Sequence, residues 1–236
     1  MQDEQSPPPA RTLILYTDYS CPFSYILKSV VERYIQTAVF PPKIEYHMFD
    51  LNETVRTQDG HIDRTWDSPQ ENYSRRVQVS VDILSEQRAV FVNRNPPTDI
   101  DSWPAQKISY WIKREYPKIV FETFYDEVFT EMWSEKRDIS ERSVLKDIIQ
   151  RIGIKRTKVD EIFDDDDFDA EFRAYLRRIK QQIPRVSPTL VYQEQTICGA
   201  VSLSDVRRLV KFAKGHPADE WGLNLIPHYN LPQHHQ

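Results

Sequence analysis

The stretch Leu15-Tyr-Thr-Asp-Tyr-Ser-Cys-Pro-Phe-Ser-Tyr25 decides how this chain is interpreted, because it joins an apolar strand to an amphipathic helix. The strand is predicted over Thr12 to Thr17, and the helix over Pro22 to about Thr37. Cys21 lies at the junction, where the first amides of a helix lack intrahelical partners and present partial positive charge. The sequence therefore predicts a reactive Cys21 whose pKa lies below the roughly 8.5 of a free cysteine.

Two neighbours of Cys21 define what its thiol can do. Pro22 fits the first helical position, where its missing N–H costs nothing. Ser24 stands where a dithiol Cys-x-x-Cys site carries its second sulfur, and its hydroxyl could hydrogen-bond the Cys21 thiolate from the same side of the helix. The alternatives are a buried structural thiol and an ordinary first-turn serine. The motif Cys-Pro-Phe-Ser thus predicts a site with one thiol.

Composition excludes several classes of protein. The longest apolar stretches, such as Leu13 to Tyr16, are far shorter than the roughly 20 residues that a membrane-spanning helix needs. A net charge of −5 argues against nucleic acid as the main partner, because phosphate binding needs a concentrated basic surface. Two cysteines, Cys21 and Cys198, match no zinc-ligand spacing, so no metal site is predicted. The N-terminal segment shows no signal-peptide pattern, which predicts a cytoplasmic location.

The order of the predicted elements indicates an α/β protein with two β-rich parts separated by helices. A second strand is predicted over Ile44 to Phe49, and the β pattern resumes only at Thr189. Ser202 and Asp205 form a predicted capping box that opens the last helix. We therefore predict one sheet-containing domain of residues 11–65 and 184–215. A helical insertion over residues 66–183 interrupts it, and residues 1–10 and 216–236 are predicted tails.

Several motifs resemble those of the DsbA branch of the thioredoxin superfamily. They are the order strand, Cys-Pro-x-x, helix and strand, and then Val186-Ser-Pro-Thr-Leu-Val-Tyr192 and Thr196-Ile-Cys-Gly-Ala-Val-Ser202. Within that branch the chain resembles FrnE-like oxidoreductases through Phe49-Asp-Leu51, Asn95-Pro-Pro97 ahead of Ala105, and Asp138-Ile-Ser140 ahead of Leu145 and Gly153. It is also similar to kappa-class glutathione transferases and hydroxychromene-carboxylate isomerases, whose site reads Ser-Pro-x-Ser. The resemblance implies a thioredoxin-like α/β domain with a large all-helical insertion.

The resemblance also implies further site residues. It implies that the Ser187-Pro188 bond is cis and faces Cys21, leaving the Ser187 backbone free to pair with an extended peptide or glutathione. The alternative is a trans proline that starts a strand. Cys198 is either a displaced resolving thiol near Cys21 or a small apolar strand residue, since a disulfide needs Cα atoms within about 7 Å. The predicted substrate-binding residues are Pro22, Phe23, Ser187, Pro188, Cys198 and Gly199.

The number of sulfurs separates three hypotheses for function. The first is a monothiol thiol-disulfide oxidoreductase, in which Cys21 attacks a disulfide, Ser24 stabilises the thiolate, and the mixed disulfide waits for an outside thiol. The second is a glutathione-dependent transferase or isomerase of the kappa type, and the third is a non-catalytic binding module. No tightly bound cofactor is expected, and glutathione or another small thiol would be the co-substrate. The expected partner is a disulfide-containing protein or a small-thiol substrate, not nucleic acid or a membrane, and the sequence leaves a homodimer open.

Overall fold

The computed structural model describes residues 11–52, 70–93, 100–183 and 186–212, in which four strands form one mixed sheet and eight helices are present. The predicted tails at 1–10 and 216–236, and the Asn95-Pro-Pro97 motif, lie outside the described residues. The elements are β1 Thr12–Thr17, α1 Pro22–Thr37, β2 Lys43–Met48, α2 Gln70–Arg88, α3 Trp103–Glu115, α4 Lys118–Trp133, α5 Arg142–Arg151, α6 Thr157–Phe163, α7 Asp166–Gln182, β3 Thr189–Tyr192, β4 Gln195–Cys198 and α8 Leu203–Phe212.

The strand order β2-β1-β3-β4 puts β1 at the centre of the sheet. β1 pairs in parallel with β2 and antiparallel with β3, and β3 pairs antiparallel with β4. Leu13 and Leu15 of β1 are completely buried, as the apolar run in the sequence requires of a central strand. The α/β class and the helical insertion are therefore confirmed.

Helix α1 begins and ends where its sequence predicts. Cys21 is the residue before the first helical turn, and Pro22 occupies the first helical position. The helix ends at Thr37, where the amide of Ala38 still donates to the carbonyl of Tyr34, and Pro41-Pro42 follows. The end of β1 and the start of α1 are therefore fixed on either side of the cysteine.

The capping box that opens α8 is also confirmed. The amide of Asp205 donates to Ser202 Oγ at 3.2 Å, and the amide of Ser202 donates to Asp205 Oδ2 at 2.9 Å. Helix α6 was not predicted, because its seven residues present only Val159 and Ile162 to the core and leave too short a periodic pattern.

The insertion and the sheet share one continuous hydrophobic core. Buried side chains run without a break from Leu15 of β1 to Phe124 and Phe129 of α4, all three almost completely inaccessible to solvent. Lys28 of α1 reaches across to Asp126 of α4, with 2.9 Å between Nζ and Oδ1. The helical insertion is thus packed against the element that carries the cysteine. The predicted domain boundaries themselves stay a prediction.

No helix within the described ranges is both long and apolar enough to cross a membrane.

Candidate active site

The turn between β1 and α1 is shaped by Asp18. Its Oδ1 accepts hydrogen bonds from the amide and the hydroxyl of Ser20, both at 2.8 Å, and its backbone carbonyl accepts from the amide of Cys21 at 3.1 Å. Its Oδ2 accepts from the amide of Leu51, just beyond the end of β2, at 2.8 Å. Because the carboxylate ties the turn to the neighbouring strand end, it fixes the position from which Cys21 enters α1.

Three side chains meet around the start of α1. The thiol of Cys21 donates to the backbone carbonyl of Ser187 at 3.5 Å, and the hydroxyls of Ser24 and Ser187 are 3.0 Å apart. The Ser187-Pro188 bond is cis, as the resemblance implies. The structure therefore brings Cys21 and Ser24 together with Ser187 and Pro188, which follow them by more than 160 residues in the sequence. The Ser187 carbonyl accepts a hydrogen bond from the Cys21 thiol. The pairing of the Ser187 backbone with a substrate, which the resemblance implies, stays a prediction.

Burial decides the ionisation of Cys21. Its side chain is only 4% exposed, and burial raises the pKa of the thiol to about 11. The Ser24 hydroxyl and the amides of Ser24 and Phe23 favour the thiolate and lower the pKa, while the Asp18 charge raises it further. The predicted pKa below that of a free cysteine is therefore wrong for this state, because desolvation outweighs the helix start.

Sequence reasoning missed Asp18 as a member of the site. Its side chain is completely buried, and burial together with the charge of Asp50 raises the pKa of this carboxyl to about 6. Hydrogen bonds from Leu51, Ser102 and Ser20 oppose that rise. A carboxylate three residues before the cysteine, at the end of an otherwise apolar strand, was the available signal.

Phe23 and Pro22 are half-buried beside the cysteine. Phe23 packs against a small cluster in which Ile26 of α1, Val81 of α2 and Ala200 after β4 meet. Helix α2 therefore forms an apolar wall next to the helix start.

Gly199 and Cys198 lie next to the Ser187-Pro188 loop and the start of β3. The amide of Gly199 donates to the carbonyl of Pro188 at 2.9 Å. The backbone φ angle of Gly199 is 86°, a value that residues with a side chain rarely adopt. Cys198 pairs with Thr189 across β3 and β4, and its Sγ is 3.4 Å from the Thr189 hydroxyl. Both cysteines are free thiols, and the partner of Cys198 among the described residues is Thr189 and not Cys21.

Within the described ranges, no three His, Cys, Asp or Glu side chains are grouped so that they could hold a metal ion.

Solved structures with the same fold include a probable DsbA oxidoreductase from Streptomyces coelicolor, with a TM-score of 0.68 and 15% identity over 88% of this chain and 92% of that one. A 2-hydroxychromene-2-carboxylate isomerase has a TM-score of 0.68 and 14% identity over 84% of this chain and 93% of that one. The cytosolic disulfide reductase DsbM from Pseudomonas aeruginosa has a TM-score of 0.55 and 16% identity over 85% of this chain and 92% of that one. No curated protein matches the sequence at a significant level.

A family model, the DSBA-like thioredoxin domain, matches residues 12–211. Because this match covers most of the chain, the protein belongs to the DSBA-like thioredoxin domain family, a family of thiol-disulfide oxidoreductases. The predicted resemblance and the predicted enzyme class are both confirmed at the level of the family.

Proposed function

We propose that this member of the family is a monothiol thiol-disulfide oxidoreductase that acts through a mixed disulfide on Cys21. The observation that carries the proposal is the site itself. One thiol stands at the start of α1 against the Ser187-Pro188 loop, and the position of a second sulfur is filled by the buried hydroxyl of Ser24. With one sulfur, an internal disulfide within the motif cannot form, so the reaction must pass through an intermolecular one.

The two half-reactions balance without a bound cofactor. The Cys21 thiolate attacks one sulfur of a substrate disulfide, forms a new S–S bond and expels the other sulfur as a thiolate. A small thiol then attacks the mixed disulfide in the same way and releases Cys21 as a thiolate. If the substrate is a glutathionylated thiol, the substrate is reduced and two glutathione molecules leave as their disulfide.

Substrate binding offers a way to activate the buried thiol. In the unbound site the Cys21 thiol, a weak donor, donates to the Ser187 carbonyl at 3.5 Å. A backbone N–H of an extended peptide or of glutathione would be a stronger donor to that carbonyl. When such an N–H binds the Ser187 carbonyl, the Cys21 thiol would lose the acceptor that stabilises its protonated form. The Ser24 hydroxyl and the helix amides would then stabilise the thiolate.

Glutathione is the small thiol that we propose as co-substrate. A structure of DsbM from Pseudomonas aeruginosa was solved with GSH, and it shares the fold at a TM-score of 0.53. The cytoplasmic location that the sequence predicts would supply such a thiol. As the protein substrate we propose a disulfide-containing chain whose backbone can form hydrogen bonds with the Ser187 backbone.

The mass of the intact protein after exposure to oxidised glutathione tests the proposal. We expect a gain of one glutathionyl group per chain, which Cys198→Ser retains and Cys21→Ser loses. The reaction should be slow at pH 8, because most of the buried thiol is protonated at that pH. In Ser24→Cys, the new thiol should displace the glutathionyl group and leave a Cys-Pro-Phe-Cys disulfide. A group found only on Cys198, or a loss of two hydrogens in the native protein, would contradict the monothiol proposal.

A glutathione-dependent transferase or isomerase is the second candidate. It is favoured by the two serine hydroxyls, which could hydrogen-bond the thiolate of a bound glutathione as well as that of Cys21. Binding of reduced glutathione to Cys21→Ser in a calorimeter, with no mixed disulfide in the native protein, would support this candidate over the oxidoreductase.

A further inference from the structure

We propose that Ser187 is a positioning residue whose hydroxyl directs the Ser24 hydroxyl toward the Cys21 thiolate. This role goes beyond the backbone contact expected of Ser187, and it deepens the proposed function, on which its importance for exchange rests. It makes a side chain 163 residues away from Ser24 part of the machinery that ionises Cys21.

The direction of the hydroxyls follows from one backbone amide. The amide of Asp18 can only donate, and it lies 3.0 Å from Ser187 Oγ and 3.4 Å from Ser24 Oγ. Ser187 Oγ therefore accepts the better bond, and its own proton remains to be donated. The Ser24 oxygen, 3.0 Å away, is placed to accept it.

The opposite direction satisfies fewer groups. If Ser24 donated to Ser187, the Ser187 oxygen would accept two hydrogen bonds and its own proton would have no partner in this pair. Ser24 is completely buried and Ser187 is only 8% exposed, so water is poorly placed to satisfy that proton. Burial therefore favours the order Asp18 amide, Ser187 hydroxyl, Ser24 hydroxyl. This order leaves the Ser24 proton available for Cys21, whose pKa the Ser24 hydroxyl lowers.

This order matters most when Cys21 is ionised. Ser24 is the side chain whose hydrogen bond lowers the pKa of the thiol, and among the described residues Asp18 is the charged group that acts against it. Hydrogen bonds in a chain polarise one another, so a Ser24 hydroxyl that itself accepts from Ser187 is a stronger donor to sulfur. Ser187 thus has two effects on Cys21. Its carbonyl stabilises the neutral thiol, and its hydroxyl stabilises the thiolate through Ser24.

Alkylation of Cys21 by iodoacetamide across pH tests the proposal without any substrate. At a fixed pH below the midpoint, Ser187→Ala should react about tenfold more slowly, which corresponds to a rise of about one unit in the pKa of Cys21. Ser24→Ala should have an effect of the same size or larger. In the double variant the two effects should not add, because Ser187 acts through Ser24. Additive effects would show that Ser187 acts independently and would overturn the inference.

Two pairs of variants separate the hydroxyl from its packing. Ser187→Thr keeps a hydroxyl and Ser187→Val replaces it with a methyl group of similar volume, so Ser187→Thr should react about tenfold faster than Ser187→Val. Equal rates in this pair would overturn the proposal even if Ser187→Ala did not fold. Ser29→Ala is the matched control, because among the described residues Ser29 Oγ bonds within α1, to the carbonyl of Tyr25. It should alkylate as the native protein does.

The proposed function and this inference can fail separately. If native protein forms no mixed disulfide with oxidised glutathione while Ser187→Ala still slows alkylation, the oxidoreductase proposal fails and the role of Ser187 stands. If mixed disulfide forms normally and alkylation is the same in Ser187→Val and Ser187→Thr, the role of Ser187 fails and the oxidoreductase proposal stands.

Discussion

Asp18 makes the free energy of folding depend on pH. Burial and the charge of Asp50 raise the pKa of its carboxyl from 3.8 to about 6, so the folded state binds this proton more tightly than the unfolded chain does. The stabilisation is fully present below pH 3.8 and is lost as pH rises through about 6. A difference of about two pKa units corresponds to a loss on the order of 3 kcal/mol.

Asp18→Asn should remove this part of the pH dependence. An asparagine does not titrate, so the free energy of unfolding should change less between pH 4 and pH 6 than in the native protein. Its absolute value should be lower at pH 4, because the amide nitrogen replaces one of the two oxygens and cannot accept the hydrogen bond donated there by Leu51 or by Ser20. Urea unfolding at a series of pH values measures both effects.

Asp138→Asn is the matched control for that series. Asp138 Oδ1 accepts from the amide and the hydroxyl of Ser140, as Asp18 does from Ser20, but Asp138 is only half-buried. This variant leaves the Asp18 carboxylate in place, so the loss of stability toward pH 6 should persist. A native pH dependence in Asp18→Asn would show that another group causes it.

At the residue scale, the sequence predicted where the thiol lies but not its ionisation. Cys21 and Pro22 take their positions from local rules for strand ends and helix starts, which a sequence displays. The pKa depends on how deeply the thiol is buried, and that burial comes from Ser187 and from the packing of distant elements. The buried state of Asp18 likewise depends on Leu51 and Ser102, whose proximity no local pattern reveals.

Helix α4 carries one of the contacts by which the insertion holds the site. Trp133, its last residue, donates from Nε1 to the backbone carbonyl of Tyr19 at 2.9 Å, two residues before Cys21. The indole is 4% exposed and the hydrogen bond is buried. If this hydrogen bond were removed, the buried Tyr19 carbonyl would be left without a hydrogen-bond partner, because water does not reach it.

Trp133→Phe should therefore destabilise the protein by about 1 to 3 kcal/mol, the usual cost of leaving a buried polar group unpaired, and the lost ring volume adds to that cost. Chemical denaturation at constant pH gives this value. Trp111→Phe makes the same change at an indole whose nitrogen has no hydrogen-bond partner among the described residues, and it should cost less. A larger effect at Trp111 would mean that packing, and not the bond to Tyr19, dominates.

At the element scale, periodicity predicted the helices well because most of them show a clear buried face. The periodic apolar pattern from Trp103 to Tyr116 predicts a helix, and α3 is observed over Trp103–Glu115. The pattern from Ser140 to Ile152 predicts a helix that starts two residues before the observed α5, because Asp138 and Ser140 form a turn that resembles a helix cap in sequence. The pairing of β1 with both β2 and β3 could come only from the resemblance, since no local signal specifies which strands meet.

The whole molecule should unfold as one unit, because the sheet and the insertion share a continuous core. In urea, the fluorescence of Trp103, Trp111 and Trp133 reports on the insertion, and alkylation of Cys21 reports on the sheet-containing part. We expect the two transitions to coincide. Trp66→Phe and Trp221→Phe would remove the two tryptophans outside the described residues from the signal. Separate midpoints would show that the insertion is an independent folding unit.

The long separation between Cys21 and Ser187 has a consequence for the protein while it is being made. A ribosome adds residues at about 5 to 20 per second, so Cys21 is synthesised on the order of ten seconds or more before its partner, 166 residues later, exists. During that interval neither Ser187 nor β3 can contribute to burying the sulfur, so we expect the thiol to be more reactive than in the complete fold. We therefore expect Cys21 to be oxidised most easily before β3 and β4 are synthesised. Completion of the sheet should then lower the reactivity of its thiol.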